Sequence, residues 1–229
     1  MSGPWLCLDT ATEVLSVAVL GPDGGLLAEI SRHAPRRHSS ILVPTIDEAL
    51  RLAGVRRTGI AAAVANRGPG SYTGLRIGLA ALEALRDGLG CAVYGVPGLL
   101  AAASAQAQDG LVAPMLDARR QDAFCALYEV RGDALPREVL EPALREVSSF
   151  CEEFTRFGRP VLCLGDAVRT HREILKTSES ARLGAVDLRA ADLGRFAQRA
   201  REEATTADAL STAALYLRPA TVPVRPDGR

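Results

Sequence analysis

Two carboxylates and one glycine-rich loop are where this sequence could do chemistry. Asp9 and Asp117 each close an apolar run and open a short polar turn, Asp9-Thr10-Ala11-Thr12 and Asp117-Ala118-Arg119-Arg120. A turn of the form Asp-x-Gly-Ser/Thr wraps phosphate, because a glycine without a Cβ lets backbone amides close on the anion. Neither turn contains a glycine, and "LCLGDAV" has one glycine where an adenosine site wants two in a row. All three elements are degraded as a nucleotide site, so Asp9 is read first as capping its own turn by a side-chain-to-backbone hydrogen bond. The loop "NRGPGSYTGLRIG" places Gly68, Pro69, Gly70, Ser71, Thr73 and Gly74 between a strand-like run and a helix-like one. Its spacing, G-x-G-x-x-x-G, is one residue off a dinucleotide fingerprint, and no GK[ST] makes it a P-loop. It is either a tight entry into a helix capped by Ser71 or Thr73, or an anion or partner site at that helix's N-terminus. Arg76 bears on the choice, since a cation in the first turn opposes the helix dipole by a few tenths to about 1 kcal/mol. A carboxylate or an anion is expected beside it.

Other reactive side chains point nowhere in particular. His33 and His38 would stand about 140° apart on a helix, poor geometry for sharing a metal. His171, in the polar stretch "VRTHRE", is expected to be solvated, and no Ser/His/Asp arrangement is legible. The five cysteines are scattered through apolar runs without CxxC spacing, as expected of buried free thiols in a reducing cytosol. Lys+Arg and Asp+Glu are 27 each, which excludes a global basic field for nucleic acid. Arg119, Arg120 and Arg131 are local positive charge, read as a solvated face. No apolar run approaches the roughly 18 residues of a membrane span, and the N-terminus lacks a basic leader region. A cytoplasmic protein without a membrane partner is expected.

The elements that position these residues follow from periodicity. "WLCLDT", "VLSVAVL" and "LLAEISRH" read as strands, the latter two joined by the turn "GPDGG". Residues 39–53 carry a helical stripe, with Pro44 tolerated near the first turn. The strand "IAAAVAN", the glycine loop, a leucine-striped helix, the strand "AVYGV" and the helix "PGLLAAASAQ" complete β-β-β-α-β-α-β-α. A shift of 108 positions lays Leu8-Asp9 on Leu116-Asp117, Ala18 on Ala126 and Gly24 on Gly132, and the strand-turn-strand order repeats with them. "REVLEPALREV", a helix near 149–157, the strand "VLCLG" and a helix near 190–203 continue the second half. The expected fold class is α/β, a duplicated unit of the two-lobed actin/sugar-kinase/Hsp70 plan with a degenerate second lobe. Residues 1–108 form the N-terminal lobe, 109–212 the C-terminal lobe and 213–229 an extended, proline-spaced tail.

Two helices of the first lobe carry surplus apolar area suited to docking another protein. One presents His38, Ile41, Leu42, Val43, Thr45 and Ile46. The other, entered past Tyr72 and Arg76, adds the small residues Gly78, Ala81 and Ala84. The same surfaces could instead be covered by the protein's own sheet, or pair with a second copy.

"LCLDTATEVLSVAVL", "RHSSILVPTIDEAL", "NRGPGSYTGLRIG", "PMLDARRQDAF" and the closing "ALYLRPA" occur in the order of the TsaB (YeaZ) family, which the chain resembles over nearly its whole length. Asn66, Tyr72 and Ala214 depart from the usual residues. The resemblance implies a non-catalytic subunit in the synthesis of threonylcarbamoyladenosine beside the tRNA anticodon. Its implied partners are a TsaD-type catalytic subunit, engaged through the N-lobe helices, and a TsaE-type ATPase that joins the pair. Contact with tRNA is implied only through the complex; a homodimer of the chain when alone is argued from the helix surfaces and not from the resemblance. No metal and no cofactor are required by this chain, with room left for a nucleotide at a subunit junction. The competing class is an enzyme of the same fold, a metallopeptidase-like or small-molecule kinase-like protein. It would need the constellations missing above.

Overall fold

The structure is a computed structural model that describes residues 3–184, 188–203 and 210–217. β1 (Trp5–Asp9), β2 (Val14–Leu20), β3 (Leu26–His33), β4 (Ala62–Gly68) and β5 (Ala92–Pro97) form one sheet in the order β3-β2-β1-β4-β5. β1 runs antiparallel to β2 and parallel to β4. A second sheet repeats the plan with β6 (Gly110–Asp117), β7 (Asp122–Val130), β8 (Arg137–Glu146), β9 (Val161–Leu164) and β10 (Ala181–Leu183), ordered β10-β9-β6-β7-β8. β6 is likewise antiparallel to β7 and parallel to β9. The duplication suggested by the 108-residue shift is thus present in strand order and direction.

α1 (His38–Leu52) and α2 (Tyr72–Leu89) cover the outer face of the first sheet, where Leu6, Leu8, Val17, Leu42, Ile46 and Leu82 share one core. α4 (Val147–Phe154), α5 (Ala167–Thr170) and α6 (Arg172–Thr177) do the same for the second sheet around Phe150 and Phe154. α3 (Gly98–Ser104) packs on the inner face of the second sheet. α7 (Ala190–Glu202) packs on the inner face of the first and contacts α3. Both β1 and β2 are therefore apolar on two faces, which explains why they read as continuous hydrophobic runs.

α7 lies far along the chain from the sheet it covers, so specific contacts must place it. Gly194 brings the helix close enough to β1 that a Cβ would strike the Cys7 sulfur. The helix N-terminus is capped in tertiary fashion: Ala190 N–H donates to Ser16 Oγ (3.2 Å) and Ala191 N–H to Glu29 Oε1 (3.1 Å). Arg189 Nε donates to Glu29 Oε2 (2.8 Å). These bonds satisfy amides that no local side chain caps.

α1 differs from expectation in one respect. It runs from His38 through Pro44, which lies in the second turn rather than the first. A proline inside a helix costs about 3 kcal/mol. Burial of Leu42, Ile46, Ala49 and Leu50 against the sheet offsets it. The second lobe adds a short α5–α6 pair where one helix would complete the repeat. Of the expected proline-spaced tail, all beyond residue 217 lies outside the described residues.

Candidate functional site

The two Asp turns sit at the C-terminal ends of β1 and β6, and a neighbouring strand braces each. Asp9 Oδ1 accepts from the Ala11 N–H (2.9 Å), the turn-capping bond its position suggested. Asn66, at the end of β4, donates from Nδ2 to both Asp9 oxygens (3.2 Å each) and accepts the Gly68 N–H on Oδ1 (2.9 Å). In the second lobe Asp166, just past β9, accepts the Asp117 N–H (2.7 Å). Asp117 in turn accepts the Arg119 N–H (3.2 Å). Arg119 and Arg120 both hold left-handed backbone, φ 71° and 59°. That conformation is unfavourable for residues with a Cβ.

The glycine loop closes over the first turn. Thr10 Oγ donates to the Gly74 carbonyl (2.8 Å), and the Ser71 N–H donates to the Ala11 carbonyl (2.8 Å). A Cβ at Gly70 would lie 2.7 Å from Ala11, and one at Gly78 would lie 2.6 Å from Thr10 Oγ. A Cβ at Gly74 would overlap the Thr10 carbonyl oxygen. These three glycines are what lets loop and helix lie directly on the turn. The amide of Ala11, the kind of donor a phosphate would use, is already bonded to Asp9. Ser71 is the N-cap of α2, its Oγ accepting from Gly74 N–H (3.3 Å). Arg76 finds neither of its expected anions among its described contacts. It stacks on the Tyr72 ring (5.6 Å), and its Nη1 reaches the Tyr72 hydroxyl (3.5 Å).

Residues 210–217 lie across the ends of β4 and β5. Leu215 N–H donates to the Arg67 carbonyl (2.7 Å), and Arg67 Nη1 donates to the Ala213 carbonyl (3.3 Å). Tyr216 packs its ring against Tyr72 (5.0 Å). Gly68 and Gly95 leave room for the carbonyls of Leu215 and Ser211.

The electrostatics between the lobes are acidic. Burial pushes the Asp9 carboxyl up to about 6, against the Ala11 and Asn66 hydrogen bonds, and the charge of Asp166 adds to the rise. Asp166 is raised as well, chiefly by its own burial. The gap bounded by Asp9, α3 and α7 has no room for a water molecule, and Arg189, which lines it, is bonded to Glu29. An incoming phosphate would meet the Asp9 and Asp192 carboxylates there, and a guanidinium already paired with Glu29. Among the described residues no group of three or more His, Cys, Asp and Glu side chains is arranged to hold a metal.

His171 corrects a sequence expectation. It is buried at the junction of α5 and α6, only 5% exposed, with Nε2 3.3 Å from Asp117 Oδ1. The polar residues around it face solvent while the turn between the two short helices points the imidazole inward. Asn66, Asp166 and His171 are thus the site residues that sequence reasoning missed. Asn66 and Asp166 did carry a signal: each is a polar side chain at the C-terminal end of an apolar parallel strand, where open α/β sheets place their sites.

The suggested docking residues divide between interior and surface. His38, Leu42, Thr45, Ile46 and Gly78 are buried in the chain's own core, because the stripe meets the sheet beneath it. Burial pushes the His38 pKa down, opposed by the backbone carbonyls of Val14, Thr12 and Ala34. Ile41 and Ala81 are half-buried at the helix margins, and Tyr72 and Arg76 are exposed. Val43 (61% exposed) and Ala84 complete an apolar outer surface on α1 and α2. All five cysteines are buried and free, as expected.

Two related lobes, each a β-β-β-α-β sheet unit with an Asp turn at the end of its first strand, have the α/β fold of the actin/sugar-kinase/Hsp70 plan. The family model for TsaD, tRNA N6-adenosine threonylcarbamoyltransferase, matches residues 13–201. The TsaB protein of Bacillus subtilis (strain 168) is 29% identical over 75% of this chain and 74% of its own length. That of Escherichia coli (strain K12) is 36% identical over 54% of each chain, so the match spans about half of that relative. A Pseudomonas aeruginosa crystal structure, described as an uncharacterized protein with similarity to peptidase YEAZ, superposes with a TM-score of 0.77. It is 26% identical, over 94% of this chain and 100% of that one. The chain belongs to the TsaB (YeaZ) family within this threonylcarbamoyltransferase group.

Proposed function

We propose that this chain is a non-catalytic subunit of the machinery that makes threonylcarbamoyladenosine in tRNA. The observation that carries the reading is the roofing of the Asp9 turn by Gly70 and Gly74, with the Ala11 amide bonded internally. A kinase of this fold needs that turn open to phosphate, and a metallopeptidase needs ligands that the described residues do not group. The names of the relatives supply the pathway. The chain's role is then structural: its N-terminal lobe, residues 1–108, docks a TsaD-type catalytic subunit through the outer surfaces of α1 and α2. The pair recruits a TsaE-type ATPase, and any nucleotide sits at a subunit junction. Residues 109–212 make the second lobe, from which α7 (Ala190–Glu202) returns to cover the inner face of the first sheet. Without its partner the chain pairs with itself through the same helices. The reading places the chain in the cytoplasm; no described helix is long and apolar enough to cross a membrane.

The test is threonylcarbamoyl transfer to tRNA by matching TsaD and TsaE subunits, with and without this chain. Dependence on the chain, with no transfer or ATPase activity of the chain alone, is the expected result. Ala84→Arg on the exposed side of α2 should abolish the stimulation while leaving the melting temperature unchanged. Equal transfer without the chain would refute the proposal.

A further inference from the structure

Far from the Asp turns, at the opposite end of the second sheet, three arginines converge on one carboxylate. Glu129, near the end of β7, is 3% exposed. Its Oε1 accepts from Arg131 Nη2 (3.0 Å) and Arg159 Nη2 (2.6 Å), and its Oε2 from Arg137 Nε (3.3 Å) and Nη2 (2.8 Å). Arg137 faces Glu129 in the β7–β8 register, Arg131 follows β7, and Arg159 precedes β9. Together they hold the Glu129 carboxyl down at about 2.

Neutralising one carboxylate takes one guanidinium, and Arg137 meets Glu129 with two of its own donors. Arg131 and Arg159 therefore bring more positive charge than Glu129 itself neutralises, three guanidinium groups on one carboxylate. The excess points outward: the side chains of Arg131, Arg137 and Arg159 are 74%, 69% and 46% exposed. Each guanidinium carries five N–H donors, and only four from the whole trio meet Glu129. Asp109, close by, accepts the Gly132 N–H (2.6 Å).

We propose that Arg131, Arg137 and Arg159, held in place by Glu129, form a binding surface for the phosphodiester backbone of RNA. Glu129 keeps the three forks close together before any ligand arrives, so little side-chain freedom is lost on binding. The surface is an open rim and not a cleft. That suits a polymer which spreads its charge over successive phosphates better than a small anion needing enclosure. The choice of RNA among polyanions rests on the proposed function. The chain's balanced total charge confines such contact to a local patch, and this would be a direct contact in addition to any made through the catalytic partner.

The test is fluorescence anisotropy of a labelled, unmodified tRNA transcript titrated with the full chain, from about 50 to 200 mM salt. Arg131→Gln/Arg159→Gln retains the Arg137–Glu129 pair, and a melting curve confirms that it folds. The double variant should bind about tenfold more weakly at low salt, with the slope of log K against log salt shallower by roughly 1–2. A DNA duplex competing alongside RNA would support contact to the phosphodiester itself. Equal affinity and slope for parent and variant would overturn the proposal, as would tRNA binding that is absent or insensitive to salt. So would displacement of the tRNA by millimolar inorganic phosphate at constant ionic strength, since the site would then take a free anion. Binding is read on the chain alone, so failure of the transfer assay and failure of this one are separate results.

Discussion

The glycines beneath the Asp9 turn make a sharp demand on sequence, and Gly74→Ala tests it. In most helix interiors this change stabilises, because alanine is favoured over glycine by about 0.8–1 kcal/mol. At Gly74 the added methyl overlaps the Thr10 carbonyl oxygen, a backbone atom fixed by β1 and by the Ala11–Ser71 hydrogen bond. Overpacking of this kind costs roughly 1–3 kcal/mol. Displacing α2 also breaks the buried bond from Thr10 Oγ to the Gly74 carbonyl, worth about 0.5–1.5 kcal/mol. After subtracting the helix-propensity gain, the net loss is about 1–3 kcal/mol. For a chain of this size that is a fall in melting temperature of roughly 2–4 °C per kcal/mol. Gly88→Ala, on the same helix with nothing within 4 Å of the added methyl, supplies the contrast and should gain up to about 1 kcal/mol. Urea unfolding at neutral pH measures both. If Gly74→Ala proved as stable as Gly88→Ala, the close packing of loop on turn would be refuted, and with it the closed phosphate site.

Three further outcomes follow from the same geometry. Burial holds the folded Asp9 carboxyl up at about 6, above the ordinary 3.8, so its contribution to stability is fully present below about pH 4 and is lost as pH rises through 6. Urea unfolding of parent and Asp9→Asn should show the parent losing stability relative to the variant across that window, by up to about 3 kcal/mol; a flat difference would contradict it. Glu29→Ala leaves Arg189 and the Ala191 amide without their acceptor. It should lower stability by about 1.5–3 kcal/mol, and amide hydrogen exchange should be fastest to rise in α7; unchanged exchange there would show that the helix is held by its apolar face alone. The thiols of Cys7, Cys125, Cys151 and Cys163 are buried with raised pKa values, so a thiol reagent at pH 8 should label them only after unfolding, and rapid labelling of the native chain would count against the packing described.

The strands, the N-lobe helices and the duplication were legible in the sequence because each is written in local periodicity. An apolar run of β length, a leucine stripe at helical spacing and a repeated strand-Asp-turn-strand order carry their meaning without a partner. Ser71 as a cap and Ala11 in place of glycine were legible too, since caps and tight turns depend on a few neighbouring residues. What lies across the chain was not. Asn66 reads as an ordinary polar residue until β4 sets it beside Asp9, and His171 reads as solvated until the α5–α6 turn points it at Asp117. The inward and outward sides of α1 could not be told apart, because Leu42 and Val43 are equally apolar and only the sheet beneath α1 decides which is buried. Glu129 and its three arginines come from three separate stretches whose charges look solvated one at a time. Sequence alone determined which elements form and which phosphate-binding residues are missing. Tertiary structure decided which side chains share a site, because desolvation and charge pairing act through distance in space, and residues far apart in the chain carry no local mark of it.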